Sequence, residues 1–366
     1  MWASKHSNVF EIQYLETRDD HYQSLASEAQ DDKFKNHTKH GNQPSKYPAG
    51  RVKKFFYINR RPNKKDCTKF TGCKYSACAK TSKFEEADVV ILNPARMKKV
   101  QELPAKRPGQ IWVMQSREPT NLPSMETLGQ YDLDNKVNFT MMIFSDSTWP
   151  VRLGSLKERP LPNKDYDKIF QAKRFEVAWF VSECDRPSRR MEYVKRMMSS
   201  VDVHIYGKCG NMTCGSKGYR MGGKKDLCLS LLSRDYKFYL SFENTFCRDY
   251  VTEKFYDMFK EVDVIPVVRG GVDYTKLFPP GIFINAKDFP SPESLGSYLQ
   301  SLAKNKQAYV AMLKEKNRYI KDKNPRSLFY CDLCKIAHTG EPNHIYPSFL
   351  KWVRKPDNCW KPTDLK

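Results

Sequence analysis

Apolar residues in this chain gather in short continuous runs separated by polar, proline-containing stretches. Val52–Ile58, Ala87–Leu92, Gln110–Gln115 and Asn138–Phe144 form one series. Phe175–Ser182, Val201–Tyr206, Tyr236–Phe242, Val264–Val268 and the short Ile282–Ile284 form a second. Short apolar runs read as strands, and continuous rather than alternating apolarity predicts a parallel sheet covered on both faces. Helices are predicted between them, over Ser188–Met198 (through Met191, Val194, Met197 and Met198), Asp226–Ser233 and Val251–Phe259. Ser291–Asn317 reads as one long or broken helix. Strands alternating with helices, twice over, predict an α/β protein of two facing Rossmann-like domains with a ligand cleft between them. The polar stretch Leu153–Lys173, with Pro160 and Pro162, is where the two halves should join. This divides the chain into a flexible stem (1–50), a first domain (51–155), a linker (156–173), a second domain (174–330) and a tail (331–366).

Composition narrows the setting. Of 366 residues, 40% are hydrophobic and 13% aromatic, enough for a sizeable core. The formal charge of +21 fits either an anionic partner (nucleic acid, lipid or a phosphorylated ligand) or a solvated basic surface with no partner. No apolar run reaches the roughly 18 residues a membrane span needs, and Met1–Val9 lacks the apolar stretch of a signal peptide. Membrane association is therefore expected only through an anchor not seen in this chain. Eleven cysteines occur with three Asn-x-Thr triplets, at Asn36, Asn138 and Asn211, and together they favour a secretory, oxidising compartment. The competing reading is a zinc-stabilised basic nucleic-acid-binding protein, with Cys331-x-x-Cys334 and Cys73/Cys78 holding the metal.

The densest constellation is Ser241-Phe-Glu-Asn-Thr-Phe-Cys-Arg-Asp-Tyr-Val-Thr-Glu-Lys254. It leaves a buried strand, crosses a polar loop and enters a helix with Thr252 as N-cap. Ligands of open α/β sheets bind beyond the carboxyl ends of strands, and a helix N-terminus there favours phosphate. Lys254 falls in the first helical turn, where a cation opposes the dipole unless an anion lies beside it. The bland alternative is a salt-bridged helix start, with Glu253 and Asp249 pairing Lys254 or Arg248.

Residues 236–256 resemble the defining segment of the α1,3-fucosyltransferase family, in which Phe-Glu-Asn, Asp-Tyr and Thr-Glu-Lys recur in this order. Val177-Ala-Trp-Phe-Val-Ser182 followed by Arg190 and Tyr193 is similar to the family's first donor-domain strand and helix. Tyr206-Gly207, Ile265-Pro-Val-Val268, Trp112, Glu118-Pro119 and Asp146-Ser147 continue the resemblance over about residues 52 to 335. Basic residues that family members often carry just before Asp146 are replaced by Phe144-Ser145, so no contact is carried over there.

The resemblance implies a GT-B arrangement with GDP-fucose as donor and an N-glycan of a glycoprotein as acceptor, in the Golgi lumen and with no nucleic-acid partner. It implies Glu118 as the catalytic base, and Arg190 and Lys254 on the pyrophosphate in place of a required metal or other cofactor, a divalent cation acting at most as a stimulant. Glu253 would hold sugar or ribose hydroxyls, Asn244, Tyr250 and Ser182 would line the pocket, and Tyr206 would lie near the guanine. Asp132 and Asp134 read as ordinary loop acids. The family often ties its N-terminal cysteines to a C-terminal Cys-x-x-Cys, which implies Cys67, Cys73 and Cys78 as partners for Cys331 and Cys334. Cys209, Cys214 and Cys228 are expected to form a second, local cluster. Cys209-Gly-Asn-x-x-Cys214, the Gly270-to-Tyr274 stretch and the Trp352…Trp360 tail look more like enzymes acting on the innermost N-acetylglucosamine than like Lewis-type enzymes acting on peripheral N-acetyllactosamine. Trp149 and Trp360 are candidates for stacking on sugar faces.

Overall fold

The computed structural model describes residues 52–58, 78–97, 102–214, 227–322, 329–340 and 344–365, all within one compact unit spanning Ala49–Lys366. The expected stem, Asn36, Cys67 and Cys73 lie outside the described residues. The first sheet is built from β1 (Lys53–Tyr57), β2 (Cys78–Thr81), β3 (Val89–Leu92), β4 (Ile111–Gln115) and β5 (Phe139–Met141). Its order is β2-β1-β3-β4-β5 and every pairing is parallel. β2 (Cys-Ala-Lys-Thr) was not among the expected strands. It has no apolar run and owes its conformation to pairing with β1.

The stretch 156–173 carries β6 (Leu156–Glu158) and the helix Tyr166–Ala172. The second sheet takes in β7 (Phe175–Phe180), β8 (Val203–Tyr206) and β9 (Tyr236–Phe242). After the two-residue β10 (Phe246–Cys247) come β11 (Ile265–Arg269) and β12 (Ile284–Asn285), which complete that sheet. β13 (Tyr319–Lys321) pairs antiparallel with β6, and β14 (Cys359–Trp360) with β10. The second sheet is all parallel in the order β12-β11-β9-β7-β8. The chain moves outward from β7 to β8, then reappears at β9 on the other side of β7. This reversal makes the carboxyl ends of β7 and β9 a topological switch point, where open α/β sheets bind ligands.

Alternation within β7 shows why both faces are covered. Val177, Trp179 and Val181 pack with the helices Arg190–Met197 and Pro292–Lys304, whereas Ala178 packs with Tyr239, Phe255 and Tyr274. Each large apolar side chain fully buried this way contributes roughly 1.5–3 kcal/mol. The expected long helix is two, Pro292–Lys304 and Lys306–Asn317, parted at Asn305, whose side chain caps the second by accepting from Ala308 N. The helix expected over Val251–Phe259 is a single α-turn, Glu253–Tyr256, followed by a tighter turn over Asp257–Phe259.

The chain's end returns to the first sheet. Phe329, Leu333 and Ala337 pack on one of its faces, Tyr346, Phe349 and Val353 on the other. Disulfides join Cys78–Cys334, Cys184–Cys209, Cys214–Cys228 and Cys247–Cys359. Cys331 is disulfide-bonded as well. Cys78 and Cys334 thus close on each other, as the resemblance implied. The local cluster is corrected, because Cys209 takes Cys184, leaving Cys214 with Cys228. The Cys247–Cys359 pair was not foreseen at all. Bonded to each other, Cys78 and Cys334 are not thiolate ligands, which removes the zinc arrangement read from sequence.

One other expectation falls to burial. Asn138 is not an available glycosylation acceptor, being 7% exposed. Its Oδ1 accepts from Lys106 Nζ (2.7 Å) and Trp112 N (2.9 Å), and its amide donates to His344 O (3.0 Å). Asn211 is exposed. Trp149 packs edge-on against Phe329 at 5.0 Å within the first sheet's core, while Trp360 remains 38% exposed.

Candidate active site

Arg190 opens the helix Arg190–Met197, and its guanidinium reaches the switch point from beneath. It is 4% exposed, stands 5.7 Å from the Trp179 ring, and donates to Phe242 O (2.9 Å) and Glu183 O (3.1 Å). Its Nε has no hydrogen-bond partner among the described residues. Both acceptors are carbonyls, so no carboxylate is bonded to this buried cation. Burial pulls its pKa down, while Glu243 and then Glu183 hold it up.

Lys254 lies in the first turn of Glu253–Tyr256, capped as expected by Thr252. The anion its position calls for is partly built in. Glu243, at the end of β9, is fully buried. One of its oxygens accepts from Thr252 N (2.8 Å), the other from Thr252 Oγ1 (2.9 Å) and Lys254 Nζ (3.2 Å). Glu253, by contrast, is largely exposed and stands 3.7 Å from Lys254 Nζ. Glu243 escaped the sequence reading although it sits in the quoted Phe-Glu-Asn triplet. The letters show a glutamate, and only the return of Thr252 and Lys254 shows what it holds. The salt-bridged helix start is also partly present, since Arg248 pairs Asp146 (2.5 Å) and Asp249 (3.3 Å).

Asn244 is 6% exposed and its Oδ1 has no partner among the described residues. Tyr250 is buried, and its phenol is held well above the usual range by that burial and by Glu243, Glu118 and Glu253. Ser182 is exposed just past β7. Gly207, at φ 99°, passes so close to that loop that a Cβ would stand 2.5 Å from Val181 O. Tyr206 packs inward. It is 5% exposed, with its hydroxyl bonded to Tyr236 (2.7 Å), which in turn bonds His204 (2.7 Å). It therefore offers no free polar group. Asp132 pairs with Lys136 and Asp134 meets Ser348, as loop acids do.

Glu118 comes from the other sheet, in the loop after β4. That loop is docked on the 241–254 segment by Asn121, whose amide donates to Thr245 Oγ1 (2.6 Å). Ser116 shapes its start, accepting from Glu118 N (3.0 Å). Water reaches Glu118, yet the protein around it raises its pKa through desolvation, countered first by Lys254. Glu183 and Glu253 raise it further and Arg186 lowers it. The groups that perturb Glu118 thus sit on the β7 and β9 loops. A raised carboxyl from the first sheet's loop lies within electrostatic reach of Lys254 and Arg186 from the second.

A family model described as glycosyltransferase family 10 (fucosyltransferase), C-terminal, matches residues 170–352. The chain belongs to glycosyltransferase family 10. α-(1,3)-Fucosyltransferase C of Drosophila melanogaster is 32% identical over 72% of this chain and 65% of its own length. Glycoprotein 3-α-L-fucosyltransferase A of the same fly is 34% identical over 51% of this chain, but only 36% of its own. The bovine 3-galactosyl-N-acetylglucosaminide 4-α-L-fucosyltransferase FUT3 is 31% identical over 75% of this chain and 72% of its own. The fly relatives are thus matched over less than two thirds of their length. A crystal structure of an α1,3-fucosyltransferase with GDP superposes with a TM-score of 0.51 at 18% identity, covering 83% of this chain and 95% of that one, which supports the family 10 fold.

Proposed function

We propose that this family 10 member is an inverting glycosyltransferase. It moves fucose from GDP-fucose to the 3-hydroxyl of N-acetylglucosamine in glycoprotein N-glycans, the innermost residue being favoured. The observation that carries this reading is the buried Arg190 guanidinium, bonded among the described residues only to the carbonyls of Phe242 and Glu183 at the switch point, which also leads into the helix bearing Lys254. A diphosphate supplies the anion that Arg190 lacks among the described residues, and adds to the Glu243 contact that Lys254 already has.

Glu118 takes the proton of the acceptor hydroxyl as its oxygen attacks the anomeric carbon of fucose from the face opposite the nucleotide. The bond from that carbon to the β-phosphate oxygen breaks, and its electron pair leaves on GDP. Arg190 and Lys254 stabilise the charge that develops there, being already fixed in place. Their two charges supply what a carboxylate-held metal supplies elsewhere, so no metal is required by this scheme. Glu243 aims Lys254, and Glu253, Asn244, Tyr250 and Ser182 line the donor pocket.

Four disulfides among the described residues, and the exposed Asn211 triplet, support a secretory setting, which the family resemblance narrows to the Golgi lumen. Among the described residues no helix is long and apolar enough to cross a membrane. The test is labelled GDP-fucose with a truncated N-glycan glycopeptide competing against free N-acetyllactosamine. Label on the glycopeptide core is expected. Label on lactosamine alone makes the enzyme Lewis-type, and label on neither overturns the reading.

A further inference from the structure

Past Glu118 in the chain, the β4 loop and the C-terminal tail line an open hollow of about 360 Å³ that the donor scheme leaves unused. Thr120, Asn121 and Glu126 form one wall, Arg354, Lys355 and Cys359 the other. Thr120 and Asn121 follow Glu118 by two and three residues, so this wall begins within about 11 Å of it.

The tail wall is held in place rather than draped. Cys359 is bonded to Cys247 of the donor motif. Asn358 is fully buried, accepts from Arg248 Nε (2.8 Å) and donates to Trp352 O and Val353 O. Arg354, Lys355 and Cys359 lie past residue 352, where the family match ends.

The charges in the hollow indicate its occupant. Lys355 is paired with Asp146 (3.3 Å). Arg354 makes only a 3.5 Å contact to Glu126 O, and neither it nor the Glu126 carboxylate has an ion pair among the described residues. One cation and one anion without an ion pair suit hydroxyls, which both donate and accept, better than they suit an anionic ligand.

We infer that this hollow is a subsite for neutral sugars of the acceptor beyond the one that receives fucose, and that the tail thereby sets acceptor preference. The inference rests on the fucosyl-transfer reading of Glu118. Its test compares Arg354→Ala and Glu126→Gln with the unaltered enzyme on two acceptors. One is the truncated N-glycan glycopeptide, and the other is the same peptide trimmed to its single Asn-linked N-acetylglucosamine. Loss of one charge-assisted bond should raise KM for the longer acceptor about tenfold or more. The kcat, the KM for the trimmed acceptor and acceptor-free hydrolysis of GDP-fucose should stay the same. Equal changes on both acceptors, or none, overturn the subsite while leaving the transferase reading intact. An unaltered enzyme that consumes no GDP-fucose with either acceptor overturns both.

Discussion

Replacing Arg190 with methionine should separate binding from stability. The guanidinium is 4% exposed, its Nε lacks a partner among the described residues, and burial depresses its pKa. Methionine of similar length removes that desolvation cost, a change that in other buried charges is often neutral or stabilising. Against this stand the two bonds to Phe242 O and Glu183 O, worth about 1.5–3 kcal/mol each as charge-assisted contacts. Both contributions are of a few kcal/mol and opposite in sign, so the nucleotide-free stability should move by about 2 kcal/mol or less. GDP binding should change far more. Losing one charge-assisted contact raises Kd roughly 10- to 150-fold. At a GDP concentration 100 times the original Kd, nucleotide stabilises the unaltered protein by about 2.7 kcal/mol. In the variant the same concentration should contribute only about 0.3–1.4 kcal/mol. Denaturant unfolding with and without GDP, together with calorimetric titration, measures both quantities. A variant that loses more than about 3 kcal/mol without nucleotide, yet binds GDP unchanged when folded, would make Arg190 a structural residue and refute the reasoning.

Two further outcomes follow from titratable groups. Glu118→Gln should lower turnover at least about a hundredfold with GDP affinity unchanged, and near-normal turnover would remove Glu118 as base. Because a base must be ionised and this carboxyl is raised, the acid limb of kcat/KM should lie above the usual carboxylate range and vanish in that variant. Lys173 and Lys316 are buried, with pKa values lowered to about 7 mainly by desolvation. Between that value and the ordinary lysine range the unfolded chain binds more protons, so stability should rise with pH through this window. Lys316→Met should flatten the rise, and an unchanged slope of the unfolding midpoint between pH 7 and 9 would count against it.

Local pattern carried the sheets. β7, β9 and β11 are apolar because both faces of a parallel sheet are covered, and that constraint is written into each run separately. The strand end at Phe242 and the Thr252 cap were legible for the same reason, since capping and strand ends are properties of a few consecutive residues. What depends on distant chain returning was not legible. β2 is a strand only because β1 lies beside it. The Asn138 triplet is closed because Lys106, Trp112 and His344 converge on it. Tyr206 turned inward because Tyr236 and His204 offered it a buried hydroxyl chain. Cys359 pairs across 112 residues with Cys247, a choice no spacing encodes. Glu243 is the sharpest case, a letter in a known motif whose buried carboxylate acquires its three donors only when Thr252 and Lys254 fold back over the end of β9. Sequence sets which residues seek burial or a partner within a few positions. Tertiary structure decides which partner, because that depends on chain entropy and packing summed over the whole molecule.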